Sequence, residues 1–157
     1  MNELLQAIKK TLQDTKLFKS VEIHGGGFSG IEDLKKFAQV APASRVGLVN
    51  MGEILATPEG MLECALNLSI IFSSADINPQ KTRHTEALRI LEEVLLLVKD
   101  GRWGSIKNPV ADTEIDSIKT TNYYGSQLYG NNLALWKVDW VQRLKLGTDR
   151  FNLTNKA

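Results

Sequence analysis

The most constraining feature of this sequence is an alternation between Leu62 and Phe72. Leu62, Cys64, Leu66, Leu68, Ile70 and Phe72 take turns with Glu63, Ala65, Asn67 and Ser69. Successive side chains of a strand leave opposite faces of a sheet, so a period of two predicts a strand with one buried face. A second such run spans Asn132 to Leu146. Ala134, Trp136, Val138, Trp140, Leu144 and Leu146 share one side, and Lys137, Asp139, Arg143 and Lys145 the other. One-sided burial is the signature of antiparallel sheets, whereas parallel strands are buried on both faces. A third run, Arg45 to Leu55, carries Val46, Leu48, Val49, Met51 and Ile54, and the turn Thr57-Pro58-Glu59-Gly60 joins it to Leu62. Two runs across a short turn predict a hairpin. A short strand over Val21–His24 and a weaker one over Thr113–Thr121 complete the set.

Helical spacing fills the intervals. Leu4, Leu5, Ile8 and Leu12 predict an amphipathic helix, with Asn2 as its N-cap and Lys16 near its end. Ser29 and Glu32, three apart, form a capping-box pattern ahead of Ile31, Leu34, Phe37 and Ala38, and Pro42 ends that segment. The longest helix is expected from Thr82 to Lys99. Leu88, Leu91, Leu95 and Val98 form its seam, Ile90, Val94, Leu96 and Leu97 widen it, and Gly101 is its C-cap. A helix this apolar must be covered by a sheet or by another subunit. The order is α-β-α-β-β-α-β-β. It predicts an α+β fold, a mainly antiparallel sheet with two main helices packed on one face. The length of 157 residues fits a single domain, here 1–146, with 147–157 as a flexible C-terminal tail.

Composition narrows the function. Lys and Arg number 19 against 18 Asp and Glu, a net charge of +1, which argues against sequence-specific nucleic-acid binding and against a polybasic membrane-surface protein. Near-zero net charge favours self-association. No apolar run is long enough for a membrane span, and Met1–Leu5 lacks a basic region before an apolar one, so a cytoplasmic location is expected. Cys64 is the one cysteine; it excludes an internal disulfide or a thiolate-rich metal site and reads as a buried inert thiol.

Candidate chemistry is thin. Gly25-x-Gly27-x-x-Gly30 follows a strand and opens a helix, as a dinucleotide site requires, and Glu53 lies near where a ribose-binding acid could sit. Against it stand a short following helix and the antiparallel signature of the later strands; a turn whose glycines allow positive φ is the plainer reading. His24-Gly25-Gly26-Gly27 resembles an esterase oxyanion loop, but no G-x-S-x-G elbow accompanies it. His24 and His84 form no paired ligand motif. Glu86, Glu92 and Glu93 read as a solvated helix face, pairing with Arg83, Arg89 or Lys99. Asp112, Glu114 and Asp116 read as a charged edge strand rather than a cation site. Neither enzyme activity nor a cofactor nor a metal is expected.

The aromatic residues carry a different signal. Tyr123, Tyr124 and Tyr129 lie in a Gly- and Asn-rich loop between two strands, Arg102-Trp103 follows the longest helix, and Phe28 sits in the glycine cluster. Tyr, Trp and Arg are enriched at protein interfaces, so these six are the candidate interface residues. Closing the end of the core is the competing role for such rings.

The opening helix Asn2–Lys16, the strand and glycine turn Val21–Gly30, the segment Pro42–Met51, the hairpin into Leu62–Phe72, the helix Thr82–Lys99 and the closing strand Leu133–Trp140 together resemble the tail terminators of tailed phages and prophages. The likeness is to the tail-completion proteins of Mu-like prophages and, more distantly, to the minor tail protein U of lambdoid phages. It covers most of the chain but rests on strands and turns rather than a catalytic signature. Asn122–Asn132 and the tail after Gly147 have no counterpart in it. The resemblance implies a homo-oligomeric ring of six subunits in the virion tail. Such a ring caps the tail tube protein, ends its elongation and offers a surface to the head-completion or connector protein. A non-phage interaction module shares the same physics.

Overall fold

The alternating run folds into β3 (Leu62–Ala75), a 14-residue strand in the middle of a six-stranded mixed sheet. The computed structural model describes residues 1–25, 31–75, 83–104, 110–123 and 133–147. Strand β3 is flanked by β2 (Ala43–Ala56) and β6 (Leu133–Leu146), both antiparallel to it. The register with β6 is unbroken from Leu62↔Leu146 to Ala75↔Leu133. Because that register matches odd with odd and even with even, the apolar sets of both strands fall on one face.

Two main helices cover that face, as the alternation requires. Helix α1 (Asn2–Asp14) contributes Leu4, Ile8 and Leu12, and α3 (Arg83–Asp100) contributes Ile90, Leu91, Val94 and Val98. They join Cys64, Leu66, Leu68, Ile70 and Phe72 of β3 and Val138, Trp140 and Leu144 of β6 in one buried cluster. Each fully buried aliphatic side chain contributes about 1.5–3 kcal/mol. Helix α2 (Ile31–Gln39) lies on the opposite face, where Phe37 meets Ala43, Ile71 and Leu135. Strand β1 (Ser20–Ile23) pairs with the first four residues of β2 and is the one parallel neighbour among the described strands. Ala41 and Pro42 are joined by a cis peptide bond.

Several local expectations give way. Asn2 is the first helical residue and Met1 the N-cap, and Lys16 lies just past the helix with φ of 59°. The expected strand over Thr113–Thr121 is two short ones, β4 (Val110–Thr113) and β5 (Lys119–Asn122), both on the outer side of β6 and separated by a 3-10 turn at Ile115–Ser117. That turn takes over part of the ladder. The Glu114 amide donates to the Val141 carbonyl at 3.1 Å, and the Ser117 hydroxyl accepts from the Val141 amide at 2.8 Å. Along α3 the buried stripe runs through Ala87, Ile90, Leu91, Val94 and Val98, while Leu88 and Leu96 stay exposed. No helix among the described residues is long and apolar enough to cross a membrane.

Candidate interaction surface

Gly101 ends α3 as its position predicts, with φ of 63° and its amide donating to the Leu97 carbonyl at 3.0 Å. The chain then turns Arg102 outward and Trp103 inward. Trp103 keeps only 2% of its surface, its ring 5.8 Å from that of Trp140. Both indole N–H groups donate to the Gln142 Oε1, at 3.0 Å from Trp103 and 3.1 Å from Trp140. The Gln142 Nε2 donates to the carbonyls of Gly101 (2.9 Å) and Ala111 (3.0 Å). A glutamine amide offers two donors and two acceptor sites, and all four are engaged here. The network also fixes which amide atom is oxygen, since indoles only donate and carbonyls only accept. Trp103 is therefore a core residue, and its candidacy as an interface residue is withdrawn. A ring that close to a buried amide is held by the interior, not offered to a partner.

The other candidates divide. Arg102 is exposed, and Tyr123 is exposed beyond β5 with its amide bonded to the Leu135 carbonyl at 2.9 Å. Phe28, Tyr124 and Tyr129, with residues 26–30, lie outside the described residues. Gly25 is exposed. The strand before the glycine cluster and the helix after it are β1 and α2, and β1 pairs parallel with β2.

A surface that sequence reasoning missed lies along β2. Its first four residues are buried, and from Val49 to Ala56 every residue is exposed. The described pairing of β1 with β2 ends at Ile23↔Val46, and His24 continues beside Gly47. Val49 (55%), Met51 (43%), Ile54 (51%) and Leu55 (45%) are open, as is Leu62 (47%) just across the turn. Register shifts between Leu48 and Asn50 and between Met51 and Ile54 insert extra residues, which is why apolar side chains reach both faces. Asn67 Nδ2 donates to Asn50 Oδ1 across the first of them. Arg143 of β6 spans the second, meeting Glu53 at 3.4 Å and Glu114 at 3.2 Å. Glu53, then Glu114, hold the Arg143 guanidinium above its ordinary pKa. Glu53 thus serves an ion pair, not the position of a ribose-binding acid. The apolar run Val46–Leu55 was the available signal, but its half-burial could not be read without knowing where β1 ends.

Other polar groups among the described residues pair within the fold. On the α2 face Arg45 makes a two-pronged pair with Asp33, at 2.9 and 2.7 Å, and lies 5.0 Å over the Phe37 ring. Asp33 holds the Arg45 pKa above its ordinary value against the opposing effect of burial. Glu86 pairs with Arg89 at 2.5 Å, which keeps its carboxyl below the usual value. Glu92 and Glu93 are exposed, and Cys64 is buried. Asp112 lies in β4, Glu114 caps the 3-10 turn and Asp116 lies within it. No group of three His, Cys, Asp or Glu residues able to hold a metal occurs among the described residues. No protein-family model matches the chain, and no curated protein matches it.

Proposed function

We propose that this chain is a structural protein of a phage or prophage tail, forming a ring that caps the tail tube, ends its elongation and presents a head-joining surface. The supporting observation is the long apolar edge of β2 on an otherwise ordinary α+β framework. A surface of that kind serves protein association, and it is wasted on a lone monomer. Work by shape needs no catalytic constellation, and a net charge of +1 suits partners that are proteins. The test is assembly with tube protein. Negative-stain images and light scattering should show rings at high concentration or on tube ends, and monomers under both conditions would overturn the reading. Nucleotide binding through Gly25–Gly30 is the alternative, favoured by the parallel pairing of β1 with β2 around α2. A ligand at 100 times its dissociation constant stabilises by about 2.7 kcal/mol. On the tail reading, dinucleotides leave the melting temperature unchanged.

A further inference from the structure

We propose that the apolar patch of Met51, Ile54 and Leu62 docks residues 148–157 of the same chain, with Phe151 and Leu153 as the anchors. That segment lies outside the described residues; the patch lies within them. Three observations carry it. The first is that the patch belongs to one face. Register partners in a sheet share a face, and Met51 pairs with Leu66, Ile54 with Cys64 and Ala56 with Leu62. Leu66 and Cys64 are in the buried cluster that α1 and α3 cover. Met51, Ile54 and Leu62 therefore extend the face of the core, yet each is exposed. Leu48 and Leu146, partly buried against the core, border them on that face. Leu55 pairs with Glu63 on the other face and is not part of the patch.

The second is where the chain leaves the sheet. Leu62 and Leu146 are register partners, so β6 ends at the border of the patch. Gly147 follows with φ of 102°, a conformation that favours glycine, and a Cβ there would lie 3.8 Å from Met61 Cα. Strands lie about 4.8 Å apart and residues rise about 3.3 Å along them, which by register puts Ile54 roughly 12 Å and Met51 roughly 16 Å from Leu146. Five extended residues span about 17 Å and seven about 23 Å, so Phe151 and Leu153 reach both. The third is the sequence of the segment. Phe151 and Leu153 are its large apolar residues and stand two apart, which puts them on one side of an extended chain. The occupant must lie across a sheet face rather than add to an edge, because Leu62 belongs to β3, in the middle of the sheet. A covalent link also gives this segment an effective concentration of about millimolar at the patch, an advantage no separate partner has. Once docked, the segment shields the patch, and a partner that takes the patch displaces it. The inference goes beyond the ring reading and stands without it.

The experiment uses the full chain. Met51→Cys with Thr154→Cys, which keeps both anchors, should close a disulfide within one chain on mild oxidation, seen as a faster-migrating monomer. Leu96→Cys, on the exposed side of α3, should not close with Thr154→Cys. Phe151→Ser with Leu153→Ser should raise the binding of an apolar fluorescent dye severalfold, with unchanged circular dichroism. Adding Ile54→Ser to that variant should return the dye signal toward that of the wild type. Closure no more abundant than in the Leu96→Cys pair, or a dye signal indifferent to the loss of Phe151 and Leu153, would overturn the docking. Disulfide-linked dimers in place of the closed monomer would put the segment on a second copy and overturn it as well.

Discussion

Gln142 shows how one polar residue can organise a core. It interrupts the apolar face of β6, and its four hydrogen bonds tie the end of α3 to β4, β6 and two tryptophans. Gln142→Leu strands two indole N–H groups and two carbonyls. With about 1–3 kcal/mol for each unsatisfied buried group and some relaxation, the expected cost is about 3–5 kcal/mol by urea denaturation. A loss below about 1 kcal/mol would show that water or neighbours replace the amide. Trp103→Ala should cost a similar amount, about 3–5 kcal/mol, as a lost core aromatic. Its effect on assembly should follow stability alone, in contrast to a surface aromatic. Gly101 is constrained twice. Its φ of 63° suits glycine, and a Cβ there would lie 2.7 Å from Thr113 Oγ1 and 3.1 Å from Gln142 Nε2. Gly101→Ala should therefore lower the melting temperature and weaken the same network.

Among the elements, α2 lies on the face of the sheet opposite α1 and α3. Its described attachments to the sheet are Phe37 in a four-residue cluster and the Asp33–Arg45 pair. Asp33→Asn should raise hydrogen exchange across 31–39 while β3 and β6 keep their protection, at a cost of about 1–3 kcal/mol for a partly buried pair. Exchange that rises equally everywhere would mean α2 opens only with the whole fold. Helix α3 offers a pH prediction. The Glu86 carboxyl lies below its ordinary value of 4.5 because Arg89 stabilises the charged form. The unfolded chain then takes up that proton first, so the contribution is full above the unfolded value and fades as pH falls through the lower folded one. Both side chains are about half exposed, so the effect is small. Glu86→Gln should leave the melting temperature at neutral pH nearly unchanged and flatten its fall in acid; an unaltered acid limb would refute the assignment. The elements also show what period and punctuation can reveal. The alternation around Cys64 and Trp140 sufficed for the two central strands and their covered face, and Gly101 marked the end of α3. The break near Ser117 escaped because its cause is a hydroxyl accepting from the Val141 amide, a contact far along the chain. Trp103 was misjudged for the same reason, since its partners Trp140 and Gln142 lie more than thirty-five residues away. The open half of β2 escaped because exposure there depends on where β1 stops.

At the scale of the whole molecule, the sheet is assembled out of chain order. Strand β6 lies between β3 on one side and β4 and β5 on the other. Its Val138, Trp140 and Leu144 stand in the middle of the helix-covered core. A chain made from its N-terminus therefore carries β3 with its inner edge open until Leu133–Leu146 has emerged. Hydrophobic strands waiting in this way are aggregation-prone, and closure between distant segments is slow. A chain stopped before Leu133 should form no cooperative core, measured as the loss of a sigmoidal melting transition; a truncated chain that melts cooperatively would show that β1 to β3 and the helices suffice. For a cell making this protein in bulk, β6 thus acts as a checkpoint, because a nascent chain stalled or cut before it is an object for chaperones and proteases rather than a subunit able to enter an assembly.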